Sequence, residues 1–200
     1  MKRIGITGPT GAGKTTALTA LKELGVFILD ADMVYYDLLA GSASMKKELR
    51  ERFGDGILGE DGKVDRKKLG NVVFGAPEAL QDLNAITHRY VRRELLCRMD
   101  EAEKQGRFAA AIDAIALIES GLGKECDMIV SVLAPAETRV KRIMARDGIS
   151  EAYARSRVAA QQKDQFYRDN SDYVLENDGT ETPEVFSRRA LALFQNILHF

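Results

Sequence analysis

The sequence predicts an α/β fold in which five short apolar strands alternate with helical segments. The first strand contains Ile4 and Ile6, and a glycine-rich loop and an amphipathic helix follow it directly. Four further apolar runs predict strands at residues 26–29, 108–113, 127–132 and 172–175. A chain of 200 residues without repeats or linkers predicts one domain, with room for lobes or a lid.

The loop after the first strand has the sequence GPTGAGKTT. Gly8, Gly13, Lys14 and Thr15 match G-x-x-x-x-G-K-S/T, the pattern of a phosphate-binding P-loop. Its glycines let backbone N–H groups converge on phosphate, Lys14 adds positive charge, and the Thr15 hydroxyl is placed to ligate Mg²⁺. The alternative is an ordinary glycine turn before a helix. We expect the phosphates of a nucleotide to be bound by Gly8, Gly11, Ala12, Gly13, Lys14, Thr15 and Thr16.

Composition narrows the possible partners and the compartment. The net charge of −1 gives no indication of nucleic-acid or membrane binding, and no apolar run approaches the roughly 20 residues of a membrane span. The two cysteines, Cys97 and Cys126, lie in no C-x-x-C pattern, and only two histidines are present. A zinc site is therefore not expected, and reduced thiols are typical of a cytoplasmic protein.

Two acids follow the second predicted strand, in the segment Asp30-Ala31-Asp32. Ligands of open α/β sheets bind outside the carboxyl ends of the strands, so we expect these acids at the same edge as the P-loop. Either acid could cap the helix that we predict to begin at Met33. We expect one acid mainly to cap this helix and the other to face the reaction.

Residues 33–105 predict an inserted, mostly helical lobe. Apolar residues at helical spacing indicate two short helices, followed by longer ones at 66–74 and 79–104. The long last helix also carries several arginines, most of which we expect on a solvated face. One or two of them could meet an anionic substrate.

The third predicted strand, at 108–113, is apolar and ends in Asp113. This is the Walker-B pattern, in which the acid helps to hold Mg²⁺, often through water. The pattern is weak by itself, because an acid at the end of a strand is common. The P-loop in the same chain favours Asp113 as a second metal-binding residue.

A pair of helices follows the fourth strand, the first opening at Pro135 and the second capped by Ser150 and extending through Gln161 and Gln162. Arg142 and Arg146 are four residues apart and therefore share one helical face. Paired arginines in a P-loop chain are typical of a lid that closes over phosphates. The alternative is a solvated amphipathic hairpin.

From these motifs the chain resembles the dephospho-CoA kinases, almost from end to end. The match includes the P-loop, the Asp30-Ala31-Asp32 segment, and the stretch from Asp172 through Gly179. Other than the P-loop, no single motif is specific, but their order and spacing are. The remaining matched motifs are Asp65-Arg66-x-x-Leu69 with Val72-Val73-Phe74, Leu83-Asn84-x-x-Thr87-His88, Leu117-Ile118-Glu119-Ser120-Gly121, Arg142-x-x-x-Arg146-Asp147 and Gln161-Gln162.

The resemblance implies a P-loop NTPase fold of the nucleoside-monophosphate-kinase type, with a five-stranded parallel sheet, a helical substrate lobe and a lid. It implies transfer of the ATP γ-phosphoryl group to the ribose 3′-hydroxyl of dephospho-CoA, with Mg²⁺, by a monomer or weak homo-oligomer. Asp32 is then the base, with Lys14 and Arg142 catalytic and Arg146 assisting. In this interpretation the core comprises about residues 1–32, 106–134 and 165–200. The helical substrate lobe comprises about 33–105, and the lid about 135–164.

Four positions depart from the pattern of these kinases. The family usually has a small glycine-rich loop ending in Gly-Lys-Ser, from which Pro9 and Thr15 differ tolerably. Asp113 stands where a proline is usual, and Arg89 replaces the proline that normally follows His88. We expect His88 to be structural, because phosphoryl transfer to a hydroxyl needs no imidazole. The roles of Asp113 and His88 stay open at this point.

Three other functions fit parts of the sequence. Another small-molecule P-loop kinase, acting on a nucleoside or nucleotide, is the nearest, and the two acids and the long helical insert disfavour it. A GTP-binding switch needs an Asn-Lys-x-Asp guanine reader, which the sequence lacks. A non-catalytic nucleotide-binding module would not need a carboxylate such as Asp32 opposite the phosphates.

Overall fold

The computed structural model describes residues 1–199 and confirms the α/β fold. Five strands form one parallel sheet in the order β2-β3-β1-β4-β5. Ile4 of the central strand pairs with Ala111 on one side and Met128 on the other. The carboxyl ends of the strands consequently meet at one edge of the sheet. The strands are β1 (Lys2–Thr7), β2 (Phe27–Asp30), β3 (Ala109–Asp113), β4 (Met128–Leu133) and β5 (Tyr173–Glu176).

Within residues 1–199, nine α-helices accompany the sheet. They are α1 (Lys14–Glu23), α2 (Ala31–Gly41), α3 (Ala43–Phe53), α4 (Arg66–Val73), α5 (Pro77–Lys104), α6 (Ala136–Asp147), α7 (Glu151–Ala159), α8 (Asp164–Asp169) and α9 (Pro183–Leu198). By contact density the chain divides into two compact units. One comprises Met1–Leu29 with the segment from Glu101 onwards, and the other is Asp30–Asp100. No helix of the described chain is both long enough and apolar enough to cross a membrane.

The first unit is organised around the sheet. Ile4 and Ile6 are fully buried, as expected for a central parallel strand that is covered on both faces. Leu21 of α1 and Phe186 and Phe194 of α9 pack into the same apolar cluster. This core holds β1 and α1 rigidly, and with them the loop that connects the two elements.

The second unit is helical and has an apolar core of its own. Met45 and Leu49 of α3 are fully buried beside Leu69 and Val73 of α4 and Ile86 of α5. The segment between α3 and α4 is held by a short 3-10 turn, Asp55–Ile57, and by a bridge between Leu58 and Val64. The helical content of this region agrees with the prediction for residues 33–105.

Several helix boundaries differ from the predictions. Helix α5 begins at Pro77 rather than at residue 79, and α4 ends at Val73 rather than at residue 74. Helix α2 begins at Ala31, two residues early, because the Asp30 carboxylate accepts hydrogen bonds from the backbone N–H groups of Asp32 and Met33. The second helix of the predicted lid ends at Ala159 rather than reaching residue 162. The short helix α8 was not predicted, since six residues are too few to show a helical period.

Candidate active site

The P-loop connects β1 to α1, and its glycines adopt conformations that other residues reach only with strain. Gly8 has φ 133° and Gly13 has φ 108°. A Cβ atom on Gly8 would lie 2.1 Å from the carbonyl oxygen of Val132, and one on Gly13 would lie 2.3 Å from Asn177 Nδ2. Positions 8 and 13 therefore require glycine for lack of space as well as for backbone angle.

The loop lines a cleft suited to anions. The cleft has a volume of about 210 Å³. Gly13 is the N-cap of α1 and offers no side-chain acceptor, so the first N–H groups of this helix stay available to a ligand. The cleft is lined by Pro9, Thr10, Gly11, Ala12, Gly13, Lys14, Thr15, Ile115, Arg142 and Arg146.

Lys14 and Asp113 form an ion pair beside the cleft. Lys14 Nζ lies 3.2 Å from Asp113 Oδ1, and the two side chains are 15% and 19% exposed. The pairing of β1 with β3 brings Asp113 opposite Ile6, which explains how the end of β3 reaches the P-loop lysine. Asp113 Oδ1 is buried and accepts no hydrogen bond of good geometry from any described residue.

These residues fit a magnesium ion. Magnesium in P-loop sites is held by one or two protein oxygens, with phosphates and water completing the octahedron. The exposed hydroxyl-bearing side chain of Thr15 lies in the first turn of α1, and Asp113 contributes a buried carboxylate oxygen without a hydrogen bond. Among the described residues, no cluster of three or more His, Cys, Asp or Glu offers a metal site made of protein ligands alone.

Arg142 contacts the P-loop backbone directly. Its guanidinium donates hydrogen bonds to the carbonyl oxygens of Gly11 at 3.2 Å and Ala12 at 3.3 Å, and to Asn177 Oδ1 at 2.9 Å. The Asn177 amide in turn donates to the Ala12 carbonyl oxygen at 2.9 Å. Burial lowers the pKa of Arg142, but an arginine remains charged at neutral pH. A positive charge is thus held against the phosphate-binding loop.

A second, more deeply buried arginine contacts the same loop. Arg139 is 3% exposed, and its Nε donates to the Thr10 carbonyl oxygen at 3.2 Å. Its Nη2 donates to Gln161 Oε1 at 2.8 Å, and Asp164 lies 3.9 Å from its Nη1. Burial lowers the pKa of Arg139, and the carboxylate of Asp164 partly offsets this effect. Helix α6 therefore places two cations against the loop.

Arg146 is oriented differently from Arg142. Its side chain is 58% exposed and makes two hydrogen bonds to Asp147, at 2.7 and 3.0 Å. Arg157 of α7 also donates to Asp147, at 2.6 Å. Arg142 and Arg146 both line the cleft, as expected from their shared helical face.

The two acids of the second unit occupy different positions. Asp30 is the N-cap of α2, whereas Asp32 is exposed in the first turn of that helix. Asp30 is therefore the capping acid of the pair, and Asp32 remains the predicted base. His88 of α5 is half-buried, and burial lowers its pKa, which favours the neutral imidazole.

Sequence reasoning missed Arg139, Gln161 and Asn177 as residues that hold the P-loop through hydrogen bonds. Arg139 precedes Arg142 by three positions and so lies on a neighbouring part of the same face. Asn177 follows the fifth strand directly, at the carboxyl edge of the sheet, where the rule that located Asp30 and Asp113 also applies. Gln161 gives no signal other than its place in the matched motifs.

Comparison with known proteins tests the family that the sequence motifs predict. The family model of dephospho-CoA kinase matches residues 2–182. The chain belongs to the dephospho-CoA kinase family. It is accordingly a kinase, and the family predicted from its motifs is confirmed.

Individual relatives agree with this family assignment. A dephospho-CoA kinase of Corynebacterium glutamicum is 39% identical over 180 residues, which cover 90% of each chain. Another from Geobacter sulfurreducens is 36% identical and covers 94% of this chain and 95% of that one.

Solved structures extend the similarity to the fold of this dephospho-CoA kinase family member. TT1252 from Thermus thermophilus is 32% identical with a TM-score of 0.80, covering 98% of this chain and 97% of the other. Dephospho-CoA kinase from Campylobacter jejuni is 25% identical with a TM-score of 0.73, covering 100% and 98%. Shikimate kinase from Acinetobacter baumannii, at 19% identity, shares the fold alone, with a TM-score of 0.55 and coverage of 100% and 94%.

Proposed function

We propose that the protein transfers the γ-phosphoryl group of ATP to the ribose 3′-hydroxyl of dephospho-CoA, giving CoA and ADP in the last step of CoA biosynthesis. The observation that carries this proposal is the family match over residues 2–182 in a chain whose P-loop is complete. Cys97 and Cys126 form no disulfide within residues 1–199, which supports a reducing compartment, and we place the reaction in the cytoplasm.

The donor binds in the P-loop cleft in this proposal. Backbone N–H groups of residues 8–16 bind the phosphates, and Lys14 moves its ammonium from Asp113 towards the β- and γ-phosphates. Arg142, held by Asn177, adds positive charge where the γ-phosphoryl group becomes more negative. Arg146 is exposed and pairs with its neighbour Asp147, so a change of rotamer would let it assist.

Thr15 and Asp113 would hold Mg²⁺, Thr15 directly and Asp113 through water. When bound, Mg²⁺ neutralises charge on the phosphates and favours departure of ADP. A metal ion also accounts for the buried Asp113 oxygen that accepts no hydrogen bond from the described residues. Lys14 and the metal would then share the negative charge of Asp113.

Asp32 orients the acceptor and takes its proton. The 3′-oxygen forms a bond to the γ-phosphorus while the bond from that phosphorus to the β-γ bridging oxygen breaks in line with it. A ribose hydroxyl is a weak acid, so its proton leaves late and passes to the Asp32 carboxylate. The Asp30 carboxylate is occupied by two backbone N–H groups of α2, which supports Asp32 as the acid that acts.

The reaction is tested by ADP release from Mg·ATP with dephospho-CoA as acceptor, compared with adenosine, AMP and no acceptor. Rapid turnover that depends on dephospho-CoA, with CoA identified by mass, is the expected result. Turnover with adenosine or AMP alone would leave a kinase with another substrate. ATP binding without any acceptor-dependent turnover would overturn the enzymatic proposal.

A further inference from the structure

The helical unit contains a cleft of its own, between α2 and the segment that leads into α4. We call it the α2–α4 cleft, and it has a volume of about 440 Å³. Helix α2 contributes Tyr36, Leu39 and Ala40, and the segment leading into α4 contributes charged residues together with Val64. The lining residues are Tyr36, Leu39, Ala40, Gly59, Asp61, Lys63, Val64, Asp65, Arg66 and Lys67.

Arg66 is held in this cleft by an aromatic ring and not by a carboxylate. Its guanidinium carbon lies 4.2 Å from the centre of the Tyr36 ring, and its Nη2 donates to the Tyr36 hydroxyl at 3.1 Å. Stacking fixes the plane of the guanidinium and leaves most of its N–H groups without acceptors. A guanidinium fixed in this way is suited to binding phosphate with two N–H groups at once.

Four other arginines of the same unit are paired with carboxylates. Arg50 donates to Asp55 at 2.6 Å, and Arg52 to Asp82 at 2.6 Å. Arg98 contacts Asp37 at 3.0 Å, and Arg89 pairs with Glu48. In residues 1–199, Arg66 forms no ion pair of this kind, so its charge is available to an anion.

Neither of the two acids of the cleft forms an ion pair with Arg66 in the part of the chain that the structure describes. The Asp65 carboxylate caps α4 by accepting from the backbone N–H groups of Lys67 and Lys68. Asp61 accepts from the backbone N–H of Lys63. Asp61 also pairs with the Lys63 side chain, whose Nζ lies 3.8 Å from Asp61 Oδ2. Among the described residues neither acid pairs with Arg66, and Lys63, Arg66 and Lys67 give the lining three positive side chains against two negative ones.

The cleft lies along α2 from the predicted base. Asp32, Tyr36 and Ala40 are spaced four residues apart, and such residues follow one face of a helix. At a rise of about 1.5 Å per residue, Tyr36 lies roughly 6 Å along the axis from Asp32, and Ala40 about 12 Å. An acceptor whose 3′-hydroxyl meets Asp32 can thus extend its 5′ substituent along this face.

We propose that the α2–α4 cleft binds the 5′-diphosphate and the beginning of the pantetheine arm of the acceptor, with Arg66 as the diphosphate-binding residue. The inference rests on the proposed function, because it takes dephospho-CoA as the acceptor and Asp32 as the group at its 3′-hydroxyl. Tyr36 is a positioning residue, since it acts on the diphosphate through Arg66. Leu39 and Val64 supply apolar contacts for the arm.

The test compares Arg66→Ala with Arg93→Ala. Arg93 is a matched control: it is exposed, lies 5.0 Å from the centre of the Tyr90 ring, and does not line the cleft. We expect Arg66→Ala to lower kcat/KM for dephospho-CoA by about 10- to 100-fold, mainly through KM, because a charge-assisted hydrogen bond pair is lost. The KM for ATP stays unchanged in both variants, and Arg93→Ala resembles the wild type.

Two further measurements test whether Arg66 binds the diphosphate and whether the Tyr36 ring positions Arg66. Calorimetric titration with dephospho-CoA and with adenosine should show weaker binding of dephospho-CoA alone in Arg66→Ala, since adenosine has no diphosphate. Tyr36→Phe keeps the ring and should retain most of the affinity, while Tyr36→Ala should resemble Arg66→Ala.

Equal affinity of wild type and Arg66→Ala for dephospho-CoA would overturn the assignment of the cleft. In that case, dephospho-CoA-dependent turnover by the wild type would leave the proposed reaction standing. If the wild type itself does not turn over dephospho-CoA, the proposed function fails first, and the cleft assignment fails with it.

Discussion

Gln161 and Thr10 are joined by two hydrogen bonds across 151 positions of sequence. The backbone N–H of Thr10 donates to Gln161 Oε1 at 3.1 Å, and Gln161 Nε2 donates to the Thr10 hydroxyl at 3.0 Å. Arg139 completes the arrangement, because it donates both to the Thr10 carbonyl oxygen and to Gln161 Oε1. The end of the α6–α7 segment is thereby tied to the middle of the phosphate-binding loop.

Gln161→Ala should weaken ATP binding. The substitution removes both hydrogen bonds to Thr10 and leaves the buried Arg139 with one acceptor fewer, so the loop loses part of its fixed shape. We expect the KM for ATP to rise about 5- to 10-fold with a smaller change in kcat, measured by steady-state kinetics at saturating dephospho-CoA. Gln162→Ala is the matched control, because that neighbouring side chain is exposed. Equal effects of both variants would contradict a specific role for Gln161.

Asp32→Asn should lower kcat by at least about 100-fold while ATP still binds, because an amide cannot accept the acceptor's proton. Asp30→Asn is the control, since asparagine is an equally good N-cap residue for α2. Single-turnover kinetics measures the chemical step, and ATP titration measures nucleotide binding separately. Activity of Asp32→Asn within a few-fold of wild type would move the base assignment to Asp30.

The sequence predicted those parts of the site that depend on local pattern. The P-loop needs glycine at fixed spacing, and the acids Asp30 and Asp113 stand at the ends of apolar strands. The loop and the two acids could therefore be located from the sequence. Which arginine of α6 is buried could not be predicted, because Arg139 and Arg142 have similar helical positions and only tertiary packing distinguishes them. The start of α2 was misplaced because Asp30 and Asp32 are both good caps, and the choice depends on where β2 ends.

Asp113→Asn should change how ATP binding depends on Mg²⁺. The variant loses the carboxylate that faces Lys14 at 3.2 Å, so in EDTA it should bind ATP at least as tightly as the wild type. With Mg²⁺ the gain in affinity should be about 5- to 10-fold smaller than in the wild type, because a neutral amide replaces the carboxylate that would hold the metal. Fluorescence titration with and without Mg²⁺ measures both values. An identical gain in the two proteins would exclude Asp113 from the metal site.

Asp147→Asn tests the charge cluster on α6 and α7 through its pH dependence. Hydrogen bonds from Arg146 and then Arg157 lower the pKa of Asp147 from the ordinary 3.8 to about 2. A carboxyl group whose pKa is lower in the folded state stabilises that state above its unfolded pKa, and this contribution is lost as pH falls towards the folded pKa. The wild type should therefore lose more stability than Asp147→Asn between about pH 4 and pH 2.

Urea unfolding at several pH values, monitored by circular dichroism, gives the free energy of unfolding of both proteins. Because Asp147 lies at the surface with Arg146 and Arg157, we expect a small difference that shrinks as salt is added. The control is Asp61→Asn, an exposed acid of the helical unit that accepts a backbone N–H at 3.0 Å and lies 3.8 Å from Lys63. If the stabilities of wild type and Asp147→Asn fall equally at acid pH, Arg146 is not held by Asp147 in solution. Arg146 is then available to the cleft without first leaving that pair.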